Sequence, residues 1–173
     1  TGTVIHNLGL MGVSPASLDS IVISHGHYDH TGGLPHVLER AGKRLPVFVH
    51  EQAFGEKYSD SRGERRFVGV PHRREKLVAL GADWRLVNEP LALLPGVWLS
   101  GSVPRTTDFE VGDAHLRAGD AACGCDCQDP LADDMALFFR TPKGLVVLSG
   151  CTHSGLVNVV RHGLAITGCS RLH

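Results

Sequence analysis

Four side chains that could bind metal lie within the six-residue run His25-Gly26-His27-Tyr28-Asp29-His30. His25 and His27 are two residues apart, so in an extended chain their side chains point the same way and could bind one cation. Asp29 and His30 follow in a turn and could reach a second cation nearby. Imidazole nitrogen and carboxylate oxygen are ligands that zinc, manganese and iron accept. The run therefore predicts a metal site, and a histidine-rich surface loop is the alternative.

The residues on either side of this run predict the elements that position it. A short β-branched run within residues 18–24 predicts a buried strand that ends just before His25. Gly32 and Gly33 then break the chain. Apolar residues recur at helical spacing over residues 34–41, and Gly42 is a plausible stop for that helix.

Strands and helices alternate irregularly along the rest of the chain. Strands are predicted at residues 46–50, 84–87, 97–100, 136–140, 145–149 and 165–167. Helices are predicted at residues 73–80 and 154–162, and a polar loop at residues 59–66. This pattern favours a mixed α/β sandwich, which we expect to be one domain over residues 1–173.

The composition indicates the class of partner. The chain has 17 Lys and Arg against 18 Asp and Glu, so no strong field draws in nucleic acid or an anionic membrane. No apolar run is long enough to span a bilayer, and the first residues do not resemble a secretory signal. We therefore expect a cytoplasmic protein that acts on a small-molecule substrate, with no nucleic-acid or membrane partner.

At these motifs the sequence resembles the metallo-β-lactamase superfamily. Residues 24–34, SHGHYDHTGGL, look like its HxHxDH signature. Three later segments resemble one branch, the 7,8-dihydropterin-6-methyl-4-(β-D-ribofuranosyl)aminobenzene 5′-phosphate synthase-like proteins: FVGVP at 67–71, GSVPR at 101–105 and GCTHSG at 150–155. The resemblance implies an αββα sandwich, incomplete here, because we expect this chain to begin and end inside a longer protein. Uncovered sheet edges could then favour a homo-oligomer.

The resemblance also implies further metal ligands. His153 would complete a first site with His25 and His27, and its alternative role is a helix-terminal residue packed on the sheet. A late histidine would hold a second metal with Asp29 and His30. An ungapped comparison places Arg171 where that histidine belongs, and His173 lies two residues later on an end that is expected to fray.

Several other residues have two possible roles each. Cys151 could ligate zinc or be a small buried residue in a turn. Asp134 could orient a ligand histidine or lie in a capped surface turn, and Arg105 could contact a substrate phosphate or be a surface residue. His50 could face the cleft. The cysteines at 123, 125 and 127 lack a second cysteine pair for a structural zinc, so they predict an oxidisable loop.

These residues support a metal-dependent hydrolase with one or two zinc ions, manganese or iron being possible. Bound metal would activate water to attack an ester, thioester or phosphoester, and Asp29 would serve as the catalytic base if only one ion binds. Two alternatives belong to other classes. One is a truncated or degenerate member that binds metal or ligand without turnover, and the other is a redox protein that uses the cysteine loop.

Overall fold

Helices and strands alternate along the computed structural model, which describes residues 2–119 and 126–173. The helices are α1 Thr3–Leu10, α2 Tyr28–Thr31, α3 Leu34–Ala41, α4 Arg74–Ala79 and α5 Leu156–Thr167. The strands are β1 Ile21–Val22, β2 Leu45–Val49, β3 Glu56–Ser59, β4 Arg66–Phe67, β5 Ala82–Leu86, β6 Leu91–Leu94, β7 Val97–Leu99, β8 Leu116–Gly119, β9 Asp126–Gln128, β10 Ala136–Thr141 and β11 Gly144–Ser149. Short 3₁₀ turns lie at Pro15–Ser17 and Glu51–Phe54.

The strands form three sheets. The first is parallel, in the order β1-β2-β5, with Val47 of β2 opposite both Ile21 and Trp84. The second is antiparallel, in the order β11-β10-β7-β6, and contains the predicted hairpin of β10 and β11. A third antiparallel sheet, β4-β3-β8-β9, was not expected from the sequence.

Side-chain alternation along β2 explains how the first two sheets are layered. Val47 is buried with Leu38 of α3 and Leu77 of α4 on one face of the parallel sheet. Phe48, one residue later, packs on the opposite face with the cluster that contains Leu99 of β7. The parallel sheet therefore has helices on one side and the antiparallel sheet on the other.

The same alternation along β10 adds the outer helix. Leu137 faces the parallel sheet, whereas Phe138 is fully buried against Val159 of α5. The order of layers is therefore helix, sheet, sheet, helix. This confirms the αββα sandwich that the sequence predicted.

Helix α3 follows the metal run, and its sequence explains its bounds. Leu34, Leu38 and Ala41 lie on one face and are buried in the core, as the helical spacing predicted. Gly42 ends the helix in a left-handed conformation with φ of 61°, which glycine adopts without the Cβ clash that other residues meet. The predicted helix and its stop are confirmed.

Helix α5 corrects the prediction for the end of the chain. The predicted strand at residues 165–167 is wrong, because these residues form the last turn of α5. The helix continues past residue 162 because Gly163 lets it approach the sheet: a Cβ there would lie 2.7 Å from Cε1 of Phe138. It ends at Gly168, whose φ is 67°. Packing therefore outweighed the β-branched composition of this segment.

The strand before the metal run also differs from its prediction. β1 has two residues, Ile21 and Val22, and both are only half-buried. It is an edge strand among the described strands, paired with β2 alone. Ser24 and the histidines therefore lie on a loop that leaves the sheet two residues after β1. Helix α1 was not predicted, and it has no buried residue that would impose a periodic pattern.

The remaining predicted elements are close to those observed. β2, α4, β5, β7, β10 and β11 each lie within two residues of the predicted bounds. The predicted loop at residues 59–66 is the turn between β3 and β4, with Ser59 and Arg66 in the strands themselves. Within the described ranges, none of the helices is long and apolar enough to cross a membrane.

Candidate metal centre

The loop that carries the metal run is held against neighbouring backbone at Gly26. A Cβ at this position would overlap the carbonyl oxygen of Ala53, so only glycine fits. His27 is extended and directly precedes α2, and Thr31 of α2 donates its hydroxyl to the His27 carbonyl oxygen at 2.8 Å. The loop thus turns tightly enough to bring both histidine rings to one place.

Three histidine rings meet at the first candidate site. His25, His27 and His153 each offer a nitrogen, and these three atoms all lie within 4.8 Å of one another. His25 is fully buried and His27 nearly so. The Nε2 atoms of His27 and His153 are buried and have no hydrogen-bond partner within the part of the chain that the structure describes. Buried polar atoms are normally paired, so these two nitrogens point to a missing ligand such as a cation.

The environment of the His25 and His27 rings keeps both of them neutral. Burial, and then the neighbouring His27, His30 and His153, together lower the pKa of His25 to about 3. Burial, followed by His153, lowers the pKa of His27 to about 4. Neutral imidazole has the free lone pair that a metal needs. The site is thus ready for a cation at neutral pH without first releasing protons from these rings.

A second group of potential ligands shares His25 and adds His30 and Cys151. His30 Nε2 lies 3.1 Å from the Cys151 sulfur and 3.6 Å from Oδ2 of Asp29. Cys151 is exposed, which rules out the alternative of a small buried cysteine. Burial of its sulfur, then the charges of Asp29 and Asp134, raise the pKa of the thiol. Asp29 belongs to neither group and is largely exposed, with 59% of its side chain accessible.

The two candidates for the late histidine lie elsewhere in the fold. Arg171 donates to the carbonyl oxygen of Lys143, and His173 N donates to that of Leu145. Both contacts are at the start of β11, whereas Cys151 follows its end. At about 3.3 Å per residue of strand, Leu145 and Cys151 are about 20 Å apart. Neither Arg171 nor His173 is therefore near the metal residues.

Two buried acids next to the site connect its parts. Asp133 Oδ2 accepts a hydrogen bond from the Gly26 N–H at 2.8 Å, and its other oxygen lies 2.9 Å from Nζ of the buried Lys57. Asp134 Oδ2 accepts from the Ser154 N–H at 2.7 Å, directly after His153. Asp134 is buried, so the alternative of a capped surface turn is wrong, and its role in orienting a ligand histidine stays a prediction. The sequence did not predict the contacts of Asp133 and Lys57, because nothing in the local sequence indicates that a lysine in a short polar strand is buried.

The other candidate residues have structural partners. Arg105 donates to the carbonyl oxygen of His153 at 2.7 Å, so part of its guanidinium is used on backbone. His50 is buried, accepts from the Gln52 N–H and lies 2.8 Å from the Ser102 hydroxyl. Cys127 is in β9, whereas the cysteines at 123 and 125 lie outside the described residues, so the predicted oxidisable loop stays a prediction.

Comparison with known proteins supports the family suggested by these ligands. Residues 1–121 match the metallo-β-lactamase superfamily. The chain belongs to that superfamily. It is also similar to a solved metal-dependent hydrolase of the β-lactamase superfamily, with a TM-score of 0.74, 26% identity, and 95% of this chain and 56% of that one covered.

Two curated proteins of Methanocaldococcus jannaschii are also similar to this chain over most of its length. One is a 7,8-dihydropterin-6-methyl-4-(β-D-ribofuranosyl)-aminobenzene-5′-phosphate synthase, 30% identical over 98% of this chain and 58% of that protein. The other is an uncharacterised protein, 33% identical over 93% of this chain and 58% of its own length. The chain thus spans little more than half the length of the relatives it matches.

Proposed function

We propose that this protein is a metal-dependent hydrolase whose first metal is held by His25, His27 and His153. The observation that carries the proposal is the pair of buried, unpartnered Nε2 atoms on His27 and His153, close to His25. Three imidazoles with an open fourth position form the ligand set of many catalytic zinc sites. Manganese and iron also accept these ligands.

A metal bound there would supply a Lewis acid and an activated water near neutral pH. The residues of the chain would do the rest. His25, His27 and His153 set the position of the ion. Asp29 is exposed and directly follows the first-site loop, so it can accept a proton from water or substrate if one ion is bound.

A second ion would use Cys151 in place of the late histidine. His30, Cys151 and either His25 or Asp29 would be its ligands, since His30 contacts both the thiol and the carboxylate. Thiolate and imidazole together favour zinc over manganese. Both ligand groups include His25. The number of ions bound therefore depends on how the two ring nitrogens of His25 are divided between the two sites.

The names of the similar proteins indicate a substrate class. The similar solved protein is described as a hydrolase, and the similar archaeal protein is named for a pterin-bearing phosphate ester. We therefore propose a small ester or phosphoester substrate, which could carry a pterin or a phosphate. The cytoplasmic location and the homo-oligomer stay predictions.

The test combines metal content with hydrolysis. Wild-type protein purified without chelator should contain one or two transition-metal ions, which anomalous scattering would place at the two ligand groups. His27→Ala should remove the first ion and lower hydrolysis of bis(p-nitrophenyl) phosphate by roughly 100-fold or more. His36→Ala is the matched control, because His36 is half-buried outside both ligand groups and contacts only Glu39 among the described ion pairs.

The alternative is a member that binds metal without turnover. Arg171 and His173 both lie away from the site, which favours this alternative. Among the described residues, the second metal then has no late histidine as a ligand. Equal hydrolysis by wild type and His27→Ala, with metal bound only by the wild type, would support this alternative over the hydrolase.

A further inference from the structure

A seven-residue segment, Asp129 to Met135, lies between β9 and β10 and carries three buried acids, at 129, 133 and 134. We call it the acidic strap. Buried carboxylates are uncommon and usually have a specific partner. The partners of the strap lie on both halves of the metal centre, which are more than a hundred residues apart in the sequence.

The strap contacts the first half of the centre at two backbone groups. Asp133 Oδ2 accepts from the N–H of Gly26, the residue between His25 and His27, at 2.8 Å. The N–H of Met135 donates to the Ser24 carbonyl oxygen at 2.8 Å. These bonds hold the loop on either side of His25 at two fixed points.

The strap contacts the second half through Asp134. Its Oδ2 accepts from the Ser154 N–H at 2.7 Å, which fixes the backbone immediately after His153. Arg105 supports the same place, since it donates to the His153 carbonyl oxygen and, at 3.5 Å, to the carbonyl oxygen of Pro130 in the strap. One short segment therefore binds the backbone beside all three first-site histidines.

Hydrogen bonds within the strap stabilise a tight turn. Leu131 is fully buried and has a φ of 51°, a left-handed conformation that is unfavourable for leucine. Asp129 Oδ1 accepts from the Leu131 N–H at 2.8 Å, which stabilises the turn. The Asp134 N–H donates to the Leu131 carbonyl oxygen at 3.1 Å. The turn directs Asp133 and Asp134 towards the two halves of the metal centre.

Lys57 anchors the strap from β3. Its Nζ lies 2.9 Å from both Asp129 and Asp133, and the three side chains are nearly inaccessible to solvent. Burial alone would raise the pKa of Asp133, but Lys57 and the Gly26 N–H lower it below its ordinary value. Burial likewise opposes the charge of Lys57, and Asp133 and Asp129 raise its pKa. Lys57 and Asp133 are therefore both charged, and removal of Lys57 would leave the buried Asp133 carboxylate without a cationic partner.

We infer that the acidic strap is the positioning element of the metal centre, setting the distance between the His25–His27 pair and His153. This inference rests on the proposed metal site. Asp133 and Asp134 are positioning residues, because they touch backbone beside the ligands. Hydrogen-bonded groups behind metal ligands typically contribute 10- to 100-fold to metal affinity.

The experiment measures Co²⁺ binding to the chelator-treated full chain. Asp134→Ala removes the acceptor of the Ser154 N–H and should weaken Co²⁺ binding about 10- to 100-fold, with a changed visible spectrum. Asp134→Asn keeps an oxygen acceptor and should restore most of the affinity and the wild-type spectrum. Asp83→Ala is the control: Asp83 is likewise a carboxylate that accepts hydrogen bonds, here from Arg44 and Arg85, but it lies on β5 away from the strap.

Thermal unfolding of the metal-free variants separates positioning from folding. Asp134→Ala should remain folded and bind Co²⁺ more weakly. In the double variant Asp133→Ala and Asp134→Ala, the fold-loss of Co²⁺ affinity should be smaller than the product of the two single-variant fold-losses. Wild-type affinity and spectrum in Asp134→Ala would overturn the inference, as would equal losses in Asp134→Ala, Asp134→Asn and Asp83→Ala. Absence of Co²⁺ binding by the wild type would overturn the metal site itself.

Discussion

At the scale of single residues, Cys151 changes the ligand set most. The sequence placed the second metal on Asp29, His30 and a late histidine, but the structure puts the Cys151 sulfur 3.1 Å from His30 and both late candidates at the far end of β11. A raised thiol pKa does not prevent ligation, because a bound cation favours the thiolate form. The proposed second site is therefore a nitrogen and sulfur site.

Replacing Cys151 tests this assignment directly. In Cys151→Ser, the Co²⁺-loaded protein should lose its sulfur-to-cobalt charge-transfer absorption and bind the second ion at least about tenfold more weakly. Cys169→Ser is the control, since Cys169 is half-buried and packs in the core beneath α5. An unchanged absorption band in Cys151→Ser would show that this sulfur is not a ligand.

At the scale of elements, α5 shows how close packing sets the geometry after His153. Gly163 faces Phe138 and Leu145, and a Cβ there would lie 2.7 Å from one and 2.9 Å from the other. The N-terminus of the same helix is bound by Glu110, which accepts from the N–H groups of Val157 and Asn158. The helix is thus fixed at its start and middle, which limits movement of the preceding His153 segment.

Enlarging this glycine should destabilise the protein. We expect Gly163→Ala to lower the free energy of unfolding by about 1–3 kcal/mol, because the new methyl group overpacks the core. Gly9→Ala, in the helix α1, has nothing within 4 Å of the new Cβ and should raise it by about 0.5–1 kcal/mol. Urea unfolding monitored by circular dichroism measures both. A stabilised Gly163→Ala would mean that α5 lies farther from β10 than described.

At the scale of the whole molecule, the buried histidines link stability to pH. The folded metal-free protein holds His25 and His27 neutral, with pKa values of about 3 and 4, whereas the unfolded chain has the ordinary value of 6.5. Between these limits the unfolded state binds more protons. The contribution of the neutral His25 and His27 side chains to the free energy of unfolding is therefore complete above pH 6.5 and is lost as the pH falls towards 4.

We therefore expect the metal-free protein to lose up to about 2.7 kcal/mol of stability per pH unit over this range. Urea unfolding in a chelating buffer from pH 7 to 4.5 measures the slope. The double variant His25→Gln and His27→Gln should have a shallower slope, because glutamine does not titrate. Equal slopes in the two proteins would contradict the depressed pKa values.

Much of the site and sandwich could be predicted because the relevant signals are local. The spacing in the metal run, the helical periodicity of α3 and the β10–β11 hairpin all depend on neighbouring residues. The final strand was predicted wrongly because a tripeptide with two β-branched residues is compatible with strand or helix until Phe138 provides a surface for α5. α1 has no buried residue, and the buried residues of β3 are the polar Lys57 and Ser59, so neither element shows a hydrophobic pattern.

The sequence by itself determined the superfamily, the order of the main elements and the candidate ligands His25, His27 and His30, since these follow from residue types at short spacing. Only the tertiary structure decided which distant groups join them. It brought His153 to the first two histidines, placed Cys151 beside His30, and moved Arg171 and His173 away. It also paired buried Lys57 with the acidic strap. Such long-range contacts arise from packing between elements, which no local window of the chain records.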